Sequence, residues 1–235
     1  MTSPAGDFTE PTTDYWQAIE SDVAPERLRP PFRFGFPARL PDGRFLTLPI
    51  RRLSQPDRAV ASFIANQASF AVLDALAEFM LASIAPLAPD LLVGLPTLGL
   101  ALAPILARRL GHVGFAPLGT SRKLWYEERW SRPLRSITTT GAGRSLYIDP
   151  NVVPRVVGRR VVIVDDTISS GSTALAALDL MRLVGVDDVG IAVAMSQGEV
   201  WRAALAAHDA RRVSFVFQSP HLSRVEGGWI PTQRS

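Results

Sequence analysis

At 235 residues, 47% hydrophobic and 20% charged, the chain has room for one sizeable core and a small appendage. It contains no cysteine, which excludes disulfides, thiolate catalysis and cysteine-based metal sites, and its three histidines (His112, His208, His221) show no ligand spacing. The net charge of +3 and the pI of about 9.9 suit an anionic small substrate as well as a weak nucleic-acid surface, though no helix-turn-helix or basic stripe points to the latter.

The first ten residues carry neither a positive n-region nor an apolar h-region, so no signal peptide is expected. Residues 1–29 are rich in Pro, Thr, Ser and acids and read as a flexible N-terminal arm. Tyr15, Trp16 and Ile19 are placed to form one stripe of a short helix. Residues 30–55 predict a hairpin. Phe34, Phe36, Ala38 and Leu40 alternate with other residues, Pro41-Asp42-Gly43-Arg44 is a turn, and Phe45, Leu46, Leu48 and Ile50 return. From about Pro56 to Ala85 the spacing predicts one long helix capped by Asp57. The apolar run Phe63–Leu92 is broken by Asn66, Gln67, Asp74, Glu78, Pro86 and Asp90, so it reads as helix plus strand and not as a membrane span.

Asp90–Leu95 is a predicted strand, Pro96-Thr97-Leu98-Gly99 a tight loop, and a helix follows to Leu110. Gly114–Gly119 is the next strand. A long polar and aromatic insert, 119–144, then interrupts the core, and Ser145–Asp149 returns from it. The chain's single lysine, Lys123, stands in this insert beside Arg122. Arg159–Asp165 is a strand, Gly171–Leu183 a helix, Val189–Met195 a strand, Glu199–Ala207 a helix and Val213–Phe217 a last strand. This alternation predicts an α/β fold: a mostly parallel twisted sheet with helices on both faces, spanning 56–218. The tail 219–235 has no period and is expected beside the hairpin.

The most informative stretch is Val161-Val162-Ile163-Val164-Asp165-Asp166-Thr167-Ile168-Ser169-Ser170-Gly171-Ser172-Thr173. Four β-branched residues suit a strand covered on both faces. Two acids stand at its carboxyl end, where open α/β sheets bind ligands. Ser169, Ser170, Ser172 and Thr173 supply hydroxyls, Gly171 permits close backbone approach, and the next helix aims its free amides into the same space. Such an assembly can hold a phosphate with a sugar diol beside it.

This pattern resembles the 5-phosphoribosyl-1-pyrophosphate (PRPP) motif of the type I phosphoribosyltransferases, with Thr167 as a mild departure from the usual aliphatic residue. The resemblance implies transfer of 5-phosphoribose from PRPP to a nucleobase or related ring, with release of pyrophosphate. The alternative is a PRPP-binding regulator of the same fold without transferase activity. It further implies that Asp165 and Asp166 accept from the ribose hydroxyls and that Ser169–Thr173 hold the 5-phosphate, with Thr167 among the substrate-binding residues. Thr97, Leu98, Gly99, Arg122 and Lys123 would take the pyrophosphate. Mg²⁺ would be carried mainly by PRPP oxygens, without a dedicated protein metal site. Asp165, Asp166 and Lys123 are the expected catalytic residues. The insert 119–144 corresponds to the family's mobile loop, and the hairpin with the tail to its hood over the acceptor. That family often has an unusual cis peptide in the first pyrophosphate loop; Leu95–Pro96 is the bond where cis is least costly. Many 6-oxopurine enzymes carry an Asp at the place of Ser169, so its absence favours an orotate-like or adenine-like acceptor. Phe34, Phe36 and Trp229 are the aromatics available to stack on a base. A cytoplasmic homodimer with no membrane partner is the expected setting.

Overall fold

The structure, a computed structural model, describes residues 14–134, 144–208 and 212–232. The first thirteen residues of the expected arm, residues 135–143 of the insert and the last three residues of the tail lie outside it.

Two sheets organise the chain. The core sheet contains β4 (Leu91–Gly94), β5 (Ala116–Pro117), β8 (Val161–Ile168), β9 (Val189–Gln197) and β10 (Val213–Ser219), in the order β10-β9-β8-β4-β5. Every pairing in it is parallel. The motif strand β8 is central, and its residues alternate between two cores. Val162 and Val164 face α1 (Phe70–Ile84) and α2 (Gly99–Arg109), packing with Leu76, Met80, Leu102 and Leu106. Val161 and Ile163 face α4 (Ser172–Leu183), packing with Ala177, Leu180 and Met181, and with Trp201 of α5 (Val200–Ala204). A strand buried on both faces needs apolar residues at consecutive positions, which is why this segment reads as an unbroken β-branched run.

The second sheet is the hood, wholly antiparallel, ordered β1 (Gly35–Arg39), β2 (Phe45–Arg52), β3 (Arg58–Ala61), β11 (His221–Val225) and β12 (Gly228–Pro231). Its small core gathers Phe32, Ile50, Ala59, Leu222 and Trp229. A two-stranded ribbon, β6 (Ser131–Pro133) with β7 (Ser145–Tyr147), flanks the insert, and a single helical turn, α3 (Val153–Val156), precedes β8.

Several sequence expectations need correction. Pro56–Ala85 is not one helix. Ala59, Ala61 and Phe63 are buried at every second position, a strand period that merged with the helical pattern beyond it. Arg58–Ala61 therefore joins the hood, past the boundary expected at 55, and the helix starts at Phe70. Ser69 caps it, its hydroxyl accepting from the Val72 amide at 3.2 Å, in place of Asp57. Asn66 and Gln67 sit exposed in the 3-10 turn Ala65–Gln67. The tail is not aperiodic: Leu222 and Trp229 are buried on two strands joined at Gly227, whose φ of +81° is open to glycine. Val213–Ser219 is thus the last strand of the core only. Tyr15, Trp16 and Ile19 lie on no helix; Trp16 is buried and donates to the Ser62 carbonyl at 3.1 Å. The strand expected at Gly114–Gly119 shrinks to Ala116–Pro117, and the helix at Glu199–Ala207 to Val200–Ala204. The run Phe70–Leu87 is long and apolar enough to cross a membrane, but Val72, Leu73, Leu76, Ala77, Met80 and Ile84 form the side that packs on the core sheet.

Candidate active site

The motif strand runs further than its apolar residues suggest. β8 continues through both acids to Ile168, pairing Asp165 with Val193 and Thr167 with Met195. The acids consequently point to different surroundings. Asp165 is partly exposed; its Oδ1 accepts from the Asp166 amide at 2.9 Å, and the Gly99 amide at the start of α2 also serves it. Asp166 is only 5% exposed, and the amides of Ala65 and Thr167 face its carboxylate. Its Oδ2 is buried with no partner among the described residues. Burial, then the charge of Asp166, push the Asp165 carboxyl well above the usual range. Burial pushes Asp166 up to about 6, against the amides that favour its charge. An orphaned carboxylate oxygen at the end of a central strand is short of hydrogen-bond donors, and a ligand diol is one source of them.

A serine-rich loop, Ser169–Thr173, follows directly. Gly171, at φ +80°, turns the chain into α4. The Ser170 and Ser172 hydroxyls are 3.0 Å apart, and the Ser172 amide donates to Ser170 Oγ at 3.3 Å. Ser169, Ser170, Ser172 and Thr173 are all partly exposed, so their hydroxyls and the first amides of α4 remain open to an anion. The back of this loop is closed. A Cβ on Gly171 would lie 3.2 Å from Ala204 Cβ and from the Cα and Cβ of Trp201.

A second loop, Leu95–Leu98, joins β4 to α2 beside the acids. Its cis bond is Pro96–Thr97, one residue beyond the bond expected from the sequence. Thr97 is exposed, Leu98 partly so and Gly99 buried. A Cβ on Gly99 would stand 2.3 Å from the Val164 carbonyl oxygen and 2.9 Å from Asp165 Cα, so α2 rests on the backbone of β8 here.

Arg122 and Lys123 are exposed on the insert and touch neither acid. Arg122 pairs with Glu128 at 3.3 Å. The insert is moored through its aromatics: Trp125 Nε1 donates to Asp149 Oδ2 at 3.0 Å, and Tyr126 and Tyr147 approach with ring centroids 6.0 Å apart. The structure thus brings together Asp165, Asp166, Thr167, the Ser169–Thr173 loop and the Thr97–Gly99 loop, and leaves the two cations outside. Of the three aromatics proposed to stack on a base, Trp229 is fully buried in the hood, Phe36 packs edge-on against Phe32 at 5.1 Å, and Phe34 alone is well exposed. Sequence reading missed the Ala65 amide and the Trp201 support. The first was signalled by the Ser69 cap, which ends the helix before it reaches Ala65.

Hood and core meet beyond the carboxyl ends of β9 and β10. Gln197 Nε2 and Ser219 Oγ both donate to the Ala61 carbonyl, at 3.2 and 3.0 Å. Next to these ties opens a cavity of about 860 Å³ lined by Gln55, Arg58, Gly198, Gln218 and His221 among others. No group of three or more His, Cys, Asp or Glu residues able to hold a metal occurs among the described residues.

A parallel sheet under a hood, with an acid pair between two anion loops, defines a phosphoribosyl-transfer fold. The phosphoribosyl transferase domain family matches residues 60–215, and the chain belongs to that family. Among its relatives, the adenine phosphoribosyltransferase of Thermobifida fusca is 39% identical over 127 residues, which are 54% of this chain and 65% of that protein. That of Acidobacterium capsulatum is 30% identical over 141 residues, 58% and 70% of the two chains. The chain thus spans just under two thirds of the length of the first of these. Among solved structures, adenine phosphoribosyltransferase from Thermoanaerobacter pseudethanolicus aligns with a TM-score of 0.53 at 26% identity, covering 63% of this chain and 81% of that one. The Giardia lamblia enzyme complexed with 9-deazaadenine shares the fold with a TM-score of 0.54 at 19% identity, covering 68% and 93%.

Proposed function

We propose that this protein transfers 5-phosphoribose from PRPP to a nucleobase, with adenine the first acceptor to test, and releases pyrophosphate. The observation that carries the reading is the acid pair at the end of the central strand, set between the Leu95–Leu98 and Ser169–Thr173 loops, with Asp166 Oδ2 buried and without a partner among the described residues. The adenine-specific names of the relatives, and Ser169 in place of an acid, support the choice of acceptor. The relatives named are enzymes, and none favours the regulatory alternative.

In this reading the Ser169–Thr173 loop and the amides of α4 hold the 5-phosphate. Asp165 and Asp166 accept from the ribose hydroxyls. Their negative charge then faces the cationic character that develops at the ribose C1 carbon as its bond to pyrophosphate lengthens. Thr97, Leu98 and Gly99 receive the pyrophosphate. Arg122 and Lys123 approach it when the insert closes, excluding water that would otherwise hydrolyse the donor. Mg²⁺, bound mainly through PRPP, supplies charge neutralisation on the leaving group. The acceptor ring enters between the hood and the acid pair.

Calorimetric titration with PRPP and Mg²⁺ tests the donor half. The wild type should bind, and Asp165→Asn combined with Asp166→Asn should abolish binding while the fold is retained by circular dichroism. Unchanged affinity in the double variant would remove the acids from the site.

A further inference from the structure

We infer that Trp201 and Ser196 are positioning residues for the donor's 5-phosphate, acting through Gly171. This rests on the proposed function, which places the phosphate in the Ser169–Thr173 loop, and adds a support for that loop which its own sequence does not contain.

The phosphate loop has little to hold its shape from within. Its internal side-chain ties are the weak ones between Ser170 and Ser172, and Gly171 is a residue with wide backbone freedom. What fixes Gly171 comes from α5. Trp201 Cα, Trp201 Cβ and Ala204 Cβ all lie 3.2 Å from the point where a Gly171 Cβ would stand. The loop therefore lies flat against one face of that helix. α5 itself has only five residues, too few to be a rigid platform unaided. Trp201 supplies the rigidity. It is fully buried, and its Nε1 donates to Ser196 Oγ at 2.9 Å. Ser196 is also fully buried and donates its own proton to the Gly198 carbonyl at 3.0 Å. Ser196 stands on β9 in register with Ile168, the last residue of the motif strand. The sequence of contacts is thus closed. The end of β8 fixes the end of β9, Ser196 fixes the Trp201 indole and the Gly198 turn, and Trp201 holds Gly171 in place under the phosphate.

An indole in this place carries two separable functions. Its body fills space against the loop, which any aromatic can do. Its N–H sets the ring's position relative to β9, which phenylalanine cannot do. Removing the Ser196 hydroxyl leaves the buried Trp201 N–H without its partner, whereas removing the N–H leaves Ser196 its bond to the Gly198 carbonyl.

The test uses the full chain and three probes: PRPP with Mg²⁺, ribose 5-phosphate, and pyrophosphate with Mg²⁺. Trp201→Phe and Ser196→Ala are each expected to weaken PRPP and ribose 5-phosphate by the same factor, about five- to tenfold, and to leave pyrophosphate unchanged. Ser196→Thr, which keeps the hydroxyl, should retain near wild-type affinity. Equal weakening of all three probes, or of none, would overturn the proposal. A measurement without mutation guards against loss of folding. In the wild type, amide exchange over 196–205 should slow with ribose 5-phosphate and not with pyrophosphate, and identical protection by both would also overturn it. Should the wild type bind neither PRPP nor ribose 5-phosphate, the proposed function fails and this inference with it. Wild-type binding with unaffected variants refutes the positioning role alone.

Discussion

Gly99→Ala sets two known effects against each other at a place where the structure decides between them. Gly99 is the first residue of α2, and alanine in a helix is favoured over glycine by about 1 kcal/mol. An added methyl, however, would stand 2.3 Å from the Val164 carbonyl oxygen and 3.1 Å from its carbon. Both obstacles are backbone of the central strand, so no side chain can swing away. Restoring contact distance requires α2 to lift by roughly 1 Å, and forced overpacking of this kind costs about 1–3 kcal/mol. The same movement draws the Gly99 amide from the Asp165 carboxyl, and an ordinary hydrogen bond contributes about 0.5–1.5 kcal/mol. The clash outweighs the propensity gain, and a net loss of about 2 kcal/mol is expected. For a domain of this size that is a fall in Tm of about 4–8 °C. Urea denaturation gives the stability directly, with Gly119→Ala as control, since a Cβ there meets nothing within 4 Å. PRPP affinity should fall along with stability in Gly99→Ala and stay unchanged in the control. A Gly99→Ala protein as stable as wild type, with undiminished affinity, would refute the packing of α2 on β8 described above.

The acid pair should give the free protein a stability that declines with pH. Asp166 titrates near 6, so between about pH 4 and 6 the native state holds more protons than the unfolded chain, and the free energy of unfolding falls as pH rises. For Asp166 the full effect is about 3 kcal/mol, present below pH 4 and lost above 6. Asp166→Asn should flatten that slope in urea titrations at several pH values; an unchanged slope would place its origin elsewhere. In the proposed function the ribose hydroxyls bind the ionised pair, so affinity for ribose 5-phosphate is expected to rise from about pH 5 to 7.5. Lys123→Ala is expected to lower turnover at least about tenfold while PRPP affinity changes little, since a cation brought in by a closing loop acts mostly in the transition state. Equal turnover would remove Lys123 from the chemistry.

Much of this site is written locally. The Val161–Thr173 stretch specifies strand, acids, phosphate turn and helix within thirteen consecutive residues, and each step follows from residue type. The Leu95–Gly99 loop is legible for the same reason. What escaped reading depends on partners far apart in the chain. Arg58–Ala61 became part of a helix on paper because its strand partners, Ile50–Arg52 and His221–Ser223, are not visible from its own pattern. The tail looked irregular because Leu222 and Trp229 are buried by residues such as Phe32 and Ile50, some 170 or more positions earlier. The Ala65 amide facing Asp166 and the Trp201 support behind Gly171 are contacts that only the assembled sheet creates. The cis bond at Pro96–Thr97 is likewise not marked by its residues, because proline signals the bond before it and not the one after.

The most direct test of the central claim is a pyrophosphate-release assay with PRPP and Mg²⁺ across a panel of bases, adenine first. The account predicts release that requires a base, matches nucleoside monophosphate formed mole for mole, and disappears in the Asp165→Asn, Asp166→Asn double variant. Tight PRPP binding without release from any base would contradict transfer and leave a protein that binds the donor alone.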